Sequence, residues 1–400
     1  MSMNLVKRNS PFWPGQAVSP EFFVGRHEQL KLIRRALMQA SHQKPQYAFI
    51  TGEHGIGKSS LARLAIGIAE KEYNFVGAHA LVGGAETLGE FCRLLYQELV
   101  RQITDKTLLD KLTTLFAKVI DKIDLFGFGI EFRKDEETRQ AITENFLPLL
   151  REIRRQVEES GRKGIILIAD DLNGVTRDPR LARFIKSLVD QISVTGNGDF
   201  PWLFMLVGVP ERMDDLRANH PSIVRIFQVL ELSLLEGGVI DFYQKAFETV
   251  RHTCTTEAMD RMAAVAGRTP VIWHELGDAI YWADDDGHID INDVVAGMKR
   301  AADNVGSKYL QRPLYDTIRS ESYRTILEHL GQADMSAPII RRAELLKWLP
   351  PNAGKRLDKF LQKMKEMDVL VPGQNSGEYE FKNLLYRYYI ALQAGAFASE

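Results

Sequence analysis

The sequence predicts an α/β fold. A parallel sheet flanked by helices is followed by a helical stretch and a small mixed C-terminal block. Three observations carry that expectation. The apolar run Tyr47-Ala48-Phe49-Ile50 leads into a glycine-rich segment, residues 52–59, and then into a helical pattern. A second apolar run, residues 164–169, ends in the paired acids Asp170 and Asp171. Further strand-like runs at 75–81 and 202–210 alternate with amphipathic helical stretches, the order that builds a parallel sheet.

Residues 1–20 read as irregular, because Pro11, Pro14, Gly15 and Pro20 interrupt any period. Phe12 and Trp13 stand out there, either as caps on the core or as a wall of a base pocket. Phe22-Phe23-Val24-Gly25-Arg26 precedes a helix over about 27–39, with Leu30, Ile33 and Leu37 on its apolar face.

Residues 52–59 satisfy G-x-x-x-x-G-K-[ST] between a strand and a helix, where Leu61, Leu64, Ala65 and Ile68 share one helical face. Gly52, Gly55 and Gly57 let the backbone turn its N–H groups inward onto phosphate oxygens. The helix that follows adds the positive end of its dipole. Lys58 is expected on the β- and γ-phosphates, and Ser59 on Mg²⁺. Glu53, His54, Ile56 and Ser60 complete the expected lining for ATP or ADP. A glycine turn that merely joins strand to helix is the plainer alternative.

FVGR, a helix and then this loop resemble the opening of AAA+ ATPases, in particular the FxGR, replication-initiator-like and STAND-related group. The resemblance implies a segment folded over the nucleotide base, with Gly25 and Arg26 among its contacts. It also implies a nucleotide-binding core over 21–235, a helical lid over 236–305 and a winged helix-turn-helix domain over 306–400.

Residues 75–81 read as the second sheet strand and 87–104 as a helix. Residues 108–125 read as helix, followed by a glycine hairpin over 123–132. The stretch 105–137 is an insertion relative to a minimal core. Phe126 and Phe128 form either a contact surface or ordinary packing. Residues 138–161 read as an amphipathic helix with a charged outer face.

The run ending in Asp170 resembles a Walker B strand, which places Asp170 beside Ser59 as a holder of Mg²⁺. The plainer alternative is an apolar strand ending in solvated acids. Asp171 stands where the family usually has a glutamate that orients the attacking water. Its side chain is one methylene shorter, which implies a slow hydrolase. After the strand 202–210, Gly208-Val209 fills a position where the family commonly places Asn or Thr. Arg225, in the box 222–232, is either the arginine finger that reaches a neighbouring subunit's nucleotide or a surface arginine.

Four helices are expected over 241–249, 256–266, 271–284 and 291–304, with Arg268 as a displaced phosphate contact. Three further helices at 320–330, 340–349 and 353–367, a hairpin at 369–381 and a final helix at 384–393 make the winged-helix pattern. Leu357, Phe360, Leu361 and Met364 form the buried face of its third helix, while Lys355, Arg356, Lys359 and Lys363 form a basic stripe for double-stranded DNA. Arg341, Arg342 and Lys347 are expected on the helix before. The other expectation for this block is an oligomer or protein-effector contact.

Over 400 residues the net charge is −2, so no global field points to nucleic acid or membrane. The two cysteines, Cys92 and Cys254, fit a reducing compartment. With no signal-like or membrane-length apolar run, a cytoplasmic protein is expected. Its implied partners are nucleotide, DNA, further copies of itself and an effector protein.

Overall fold

The structure, a computed structural model, describes residues 9–16, 23–102, 120–124, 129–132, 140, 143–195, 200–316, 318–333 and 339–395. The chain divides into two compact units. One is Ala17–Ser233; the other joins the residues through Gln16 to Leu234–Glu400.

The first unit runs α1 (His27–Ser41), β1 (Gln46–Gly52), α2 (Lys58–Tyr73), β2 (Phe75–Leu81), α3 (Leu88–Arg101), β3 (Ile120–Asp124), β4 (Gly129–Phe132), α4 (Phe146–Glu159), β5 (Gly164–Leu172), α5 (Pro179–Thr195), β6 (Trp202–Gly208), α6 (Pro210–Asn219) and β7 (Gln228–Leu232). Five strands form one sheet in the order β2-β5-β6-β1-β7, every neighbouring pair parallel. Its central strands are mostly apolar because helices cover both faces. Ala48, Ile50, Ile166, Ile168, Leu203 and Met205 pack under α1 and α2. The intervening Phe49, Ile165, Leu167, Phe204 and Leu206 pack under α3, α4, α5 and α6. Period-two alternation thus sorts each strand between two cores.

Close approach needs glycine at particular points. A Cβ on Gly77 would come within 2.4 Å of Ile66 Cγ2, so α2 could not lie as near to β2 with any other residue there. Thr87 caps α3 by accepting the Glu90 amide at 3.3 Å. β3 and β4 pair antiparallel, so Ile120–Asp124 is strand where the pattern predicts the end of a helix. Pairing of β3 with β4 outweighs a local helical period. Phe126, Phe128 and most of the expected insertion lie outside the described residues.

In the second unit, α7 (Val239–Thr249), α8 (Thr256–Ala266), α9 (Pro270–Ala283) and α10 (Ile291–Tyr309) pack together, with a short parallel pair, β8 (Thr253–Cys254) and β9 (His288–Ile289). Asp290 and Asp293 form a reciprocal capping box at the start of α10. Phe12 is buried in this unit, its ring 5.9 Å from Phe242, 5.3 Å from Phe247 and 6.3 Å from His274 between centroids. Of the two expectations for Phe12, packing into a core is the one realised.

The chain continues through α11 (Glu321–Gln332), β10 (Ile339–Arg341), α12 (Arg342–Trp348), α13 (Pro351–Gly354), α14 (Leu357–Glu366), β11 (Leu370–Pro372), β12 (Glu378–Phe381) and α15 (Leu384–Gln393). The three strands form an antiparallel sheet in the order β10-β12-β11. The pattern predicts helix from residue 340, but Ile339–Arg341 are drawn into the sheet and the helix starts at Arg342. Ile339 and Ile340 are β-branched and pair with Glu380 and Tyr379, a tertiary contact that overrides the helical period. Leu357, Phe360, Leu361 and Met364 bury the inner face of α14, as their spacing predicts.

Candidate functional site

The carboxyl ends of the parallel strands collect the chemistry of the first unit. Gly52, Gly55 and Gly57 have φ of 150°, 74° and 97°, conformations open to glycine and strained for other residues. Gly57 is the N-cap of α2. Within this loop Lys58 Nζ donates to the carbonyl oxygens of Gly52 (2.9 Å) and Glu53 (2.7 Å). Burial lowers the Lys58 pKa, while Asp170, Asp171, Glu53 and Glu211 pull it back up. The ammonium is therefore held by carbonyls in a partly dehydrated loop, where a phosphate can replace them as its partner. Glu53 and His54 are exposed, and Ile56 and Ser60 are buried.

Gly25 and Arg26 both have positive φ, 71° and 62°. Arg26 caps α1, and its Nη2 donates to the Ile56 carbonyl at 3.2 Å. The segment before α1 is thereby joined to the loop after β1.

Asp170 and Asp171 sit on an irregularity. Ala169 pairs with Leu206, but the next pair is Leu172 with Gly208, so β5 carries one residue more than β6. This is a β-bulge, and Asp171 within it has φ 64°. The two neighbouring carboxylates meet different partners. Asp170 is 2 % exposed. One of its oxygens accepts the Asp171 amide at 2.8 Å, the other meets His79 Nε2 at 2.8 Å, and the Ser59 hydroxyl also bonds to this carboxylate. Burial raises the Asp170 pKa, but the bonds from His79, Ser59 and the Asp171 amide outweigh it and hold the carboxyl below its ordinary value. The Asp171 carboxylate is exposed and turns toward Gly83, where a Cβ would come within 2.0 Å of its Oδ2. Asn173 Nδ2 donates to the Gly83 carbonyl at 3.1 Å.

Lys58, Ser59 and Asp170 are thus brought together with Gly25, Arg26 and the loop 52–60. His79 was missed by the motifs. Its signal is a single ionisable residue in the otherwise apolar strand FVGAHAL, two places before the strand ends. Arg212 was missed as well. A Cβ on Gly208 would lie 3.2 Å from its Cβ and Cγ, and its guanidinium donates to Asp215 at 2.9 Å.

Arg225 is exposed at the end of the short 3-10 helix Pro221–Arg225. Arg268 belongs to the second unit, where its Nε donates to the Leu235 carbonyl at 3.0 Å. Lys355, Arg356, Lys359 and Lys363 are exposed along and just before α14. Arg341 and Arg342 depart from expectation. Arg341 lies on β10, 3.2 Å from Glu378, and Arg342 holds Asp358 through two bonds of 2.6 and 2.9 Å. Carboxylates already occupy both.

Residues 23–194 match the model of the AAA ATPase domain. The chain, with its five-stranded parallel sheet and glycine-rich loop, resembles two solved structures over most of its length. The Walker-type ATPase PABY2304 of Pyrococcus abyssi is 16% identical, with 93% of this chain and 97% of that one covered at a TM-score of 0.50. The ORC2 protein of Aeropyrum pernix, in its ADP form, is 13% identical, with 96% and 97% covered at a TM-score of 0.52. At those identities the likeness is one of fold. No curated protein sequence matches the chain. Among the described residues no helix is long and apolar enough to cross a membrane.

Proposed function

We propose that the protein is an ATP- and Mg²⁺-dependent switch of the AAA+ type that hydrolyses ATP slowly and acts on DNA. One observation carries the nucleotide reading: the P-loop lysine is held by the loop's own carbonyls while Ser59 bonds to the acid at the end of β5. The ORC2 protein whose fold it resembles was solved in an ADP form, which is in keeping with that reading.

The donor set fits Mg²⁺. A hydroxyl and a carboxylate are hard oxygen donors, and no group of three or more His, Cys, Asp or Glu able to hold a metal by itself exists among the described residues. A cation here would be completed by phosphate oxygens and water. Ser59 and Asp170 would hold it, and it supplies neutralisation of charge on the β- and γ-phosphates. Lys58 and the loop amides bind and orient the phosphates. Asp171, on its bulge, is the group to orient the attacking water, and Arg225 the one to reach a neighbouring copy in a homo-oligomer. The experiment is a fluorescent-ATP titration with Lys58→Ala and Asp170→Asn. Affinity should fall at least about tenfold in the first, and dependence on Mg²⁺ should vanish in the second. Wild-type binding by both variants would overturn the reading.

The DNA reading rests on α11–α15 and β10–β12 taken as a winged helix, with Arg356, Lys359 and Lys363 at i, i+3 and i+7 along the exposed side of α14. Duplex-DNA anisotropy should show salt-sensitive binding that Lys359→Ala/Lys363→Ala weakens. A specific observation supports a second reading, in which this block holds an effector protein. Arg341 and Arg342 are tied to carboxylates, and Trp348 is 74% exposed beside the half-exposed Leu346. Absence of DNA binding with and without ATP selects that reading.

A further inference from the structure

His79 lies one strand away from Asp170, on the same face of the sheet. Leu81 pairs with Asp170 in the parallel register, and His79, two residues earlier, projects to the same side. The side is that of α2: Ala78 and Ala80 pack into the opposite core, while Gly77 faces Ile66. The imidazole therefore reaches diagonally across to the carboxylate, 2.8 Å from Nε2 to Oδ2. An ionised carboxylate only accepts, so Nε2 carries the proton and donates. The other oxygen is fixed by the Asp171 amide at 2.8 Å. With one donor on each oxygen, both the direction and the plane of the carboxylate are set before any cation arrives. The bulge gives a physical reason why this matters. Beyond Ala169 the regular ladder to β6 lapses until Leu172, so β-pairing on that side does not orient residue 170.

We propose that His79 is a positioning residue for the magnesium site, holding the Asp170 carboxylate in the orientation from which it serves the cation beside Ser59. The inference rests on the reading of Asp170 as the Mg²⁺-holding acid. His79 itself touches neither nucleotide nor metal. It therefore governs the Mg²⁺-dependent part of nucleotide affinity and leaves the Mg²⁺-free part, made by Lys58 and the loop amides, unchanged.

The test measures the Kd of a fluorescent ATP analogue in EDTA and across a Mg²⁺ titration. The proteins are wild type, His79→Leu, His79→Asn, His79→Gln and Asp170→Asn. A glutamine amide nitrogen reaches about where Nε2 stands; asparagine, one methylene shorter, does not. Leu and Asn should shift the Mg²⁺ midpoint upward about tenfold with the EDTA Kd unchanged, the scale expected when a partner of a metal-holding carboxylate is lost. Gln should restore most of that shift. The Asn and Gln pair keeps the comparison decisive if Leu fails to fold. A wild-type midpoint in Asn and Leu, with Asp170→Asn abolishing the Mg²⁺ effect, overturns the role of His79 alone. Equal loss in EDTA and Mg²⁺ overturns it too, since the effect is then general to the fold. No effect of Asp170→Asn overturns the underlying site as well.

Discussion

The guanidinium of Arg26 donates to the carbonyl of Ile56 at 3.2 Å, closing the segment before α1 onto the phosphate loop. The bond ends on a backbone atom inside the glycine-rich turn, so it restrains the loop in a way that no side-chain exchange at Ile56 can remove. Arg26→Ala leaves that carbonyl without its charged donor. Hydrogen bonds to charged groups contribute roughly 1.5–3 kcal/mol, so nucleotide affinity should weaken about tenfold or more in a fluorescence titration. The melting temperature without nucleotide should fall by a few degrees as well, because the bond joins the two segments whether or not nucleotide is bound.

Gly83 marks the limit of space around Asp171. A Cβ there would meet Asp171 Oδ2 at 2.0 Å. Gly83→Ala must therefore turn the carboxylate away, whereas Lys58 and the loop 52–59 lie outside the contact. Steady-state ATPase assays should show kcat reduced about tenfold or more, because small displacements of a water-orienting group are costly, with nucleotide Kd unchanged. An unaltered kcat would remove Asp171 from the chemistry.

Arg225 offers a sharper test of assembly. If it serves a neighbouring copy, Arg225→Ala keeps ATP binding and loses on the order of 10³ in turnover, as removal of an arginine finger does. Mixing it with a Lys58→Ala chain should restore part of the activity, because each chain then supplies what the other lacks.

His274 should make stability depend on pH. Its ring is buried against Phe12 and Phe242, its Nδ1 accepts the Trp13 amide at 3.2 Å, and burial lowers its pKa from 6.5 to about 4. The unfolded chain takes up that proton near pH 6.5 and the folded chain only near pH 4. The contribution is complete above pH 6.5 and is lost as the pH falls to about 4, in total on the order of 3 kcal/mol. Urea unfolding at pH 7 and pH 5 should show a smaller drop for His274→Asn than for wild type.

Phe12 docks against Gly277, where a Cβ would come within 2.5 Å of the ring. Gly277→Ala should therefore destabilise the second unit by about 1–3 kcal/mol, and Phe12→Ala by about 3–5 kcal/mol, in thermal or urea melts.

Much of the candidate site was legible in the chain because the demands of such a loop are local. Gly52, Gly55, Gly57, Lys58 and Ser59 follow one another, and each residue type answers a requirement of phosphate geometry. Asp170 was legible from the apolar run before it. His79 was not, because its meaning depends on which strand lies next to β5, and no spacing within the chain states that β2 does. The bulge at Asp171 was hidden for the same reason: a register exists only between two strands. Arg341 and Arg342 read as part of a basic surface, since their carboxylate partners, Glu378 and Asp358, are 37 and 16 residues away. The helical period likewise favoured helix at Ile340, and pairing with Tyr379 decided otherwise.

Gly52 sits so close to β7 that a Cβ on it would reach the Leu232 carbonyl oxygen at 2.6 Å. Loop and strand fit there as a gear tooth in its slot, because the space beside Gly52 has no room for a side chain. β7 starts three residues after Arg225, and the first unit ends one residue after β7, at Ser233. Strand pairing and chain continuity therefore link the phosphate loop to the segment of the exposed arginine on one side and to the end of the unit on the other. Such a linkage needs no residue of its own inside the phosphate loop.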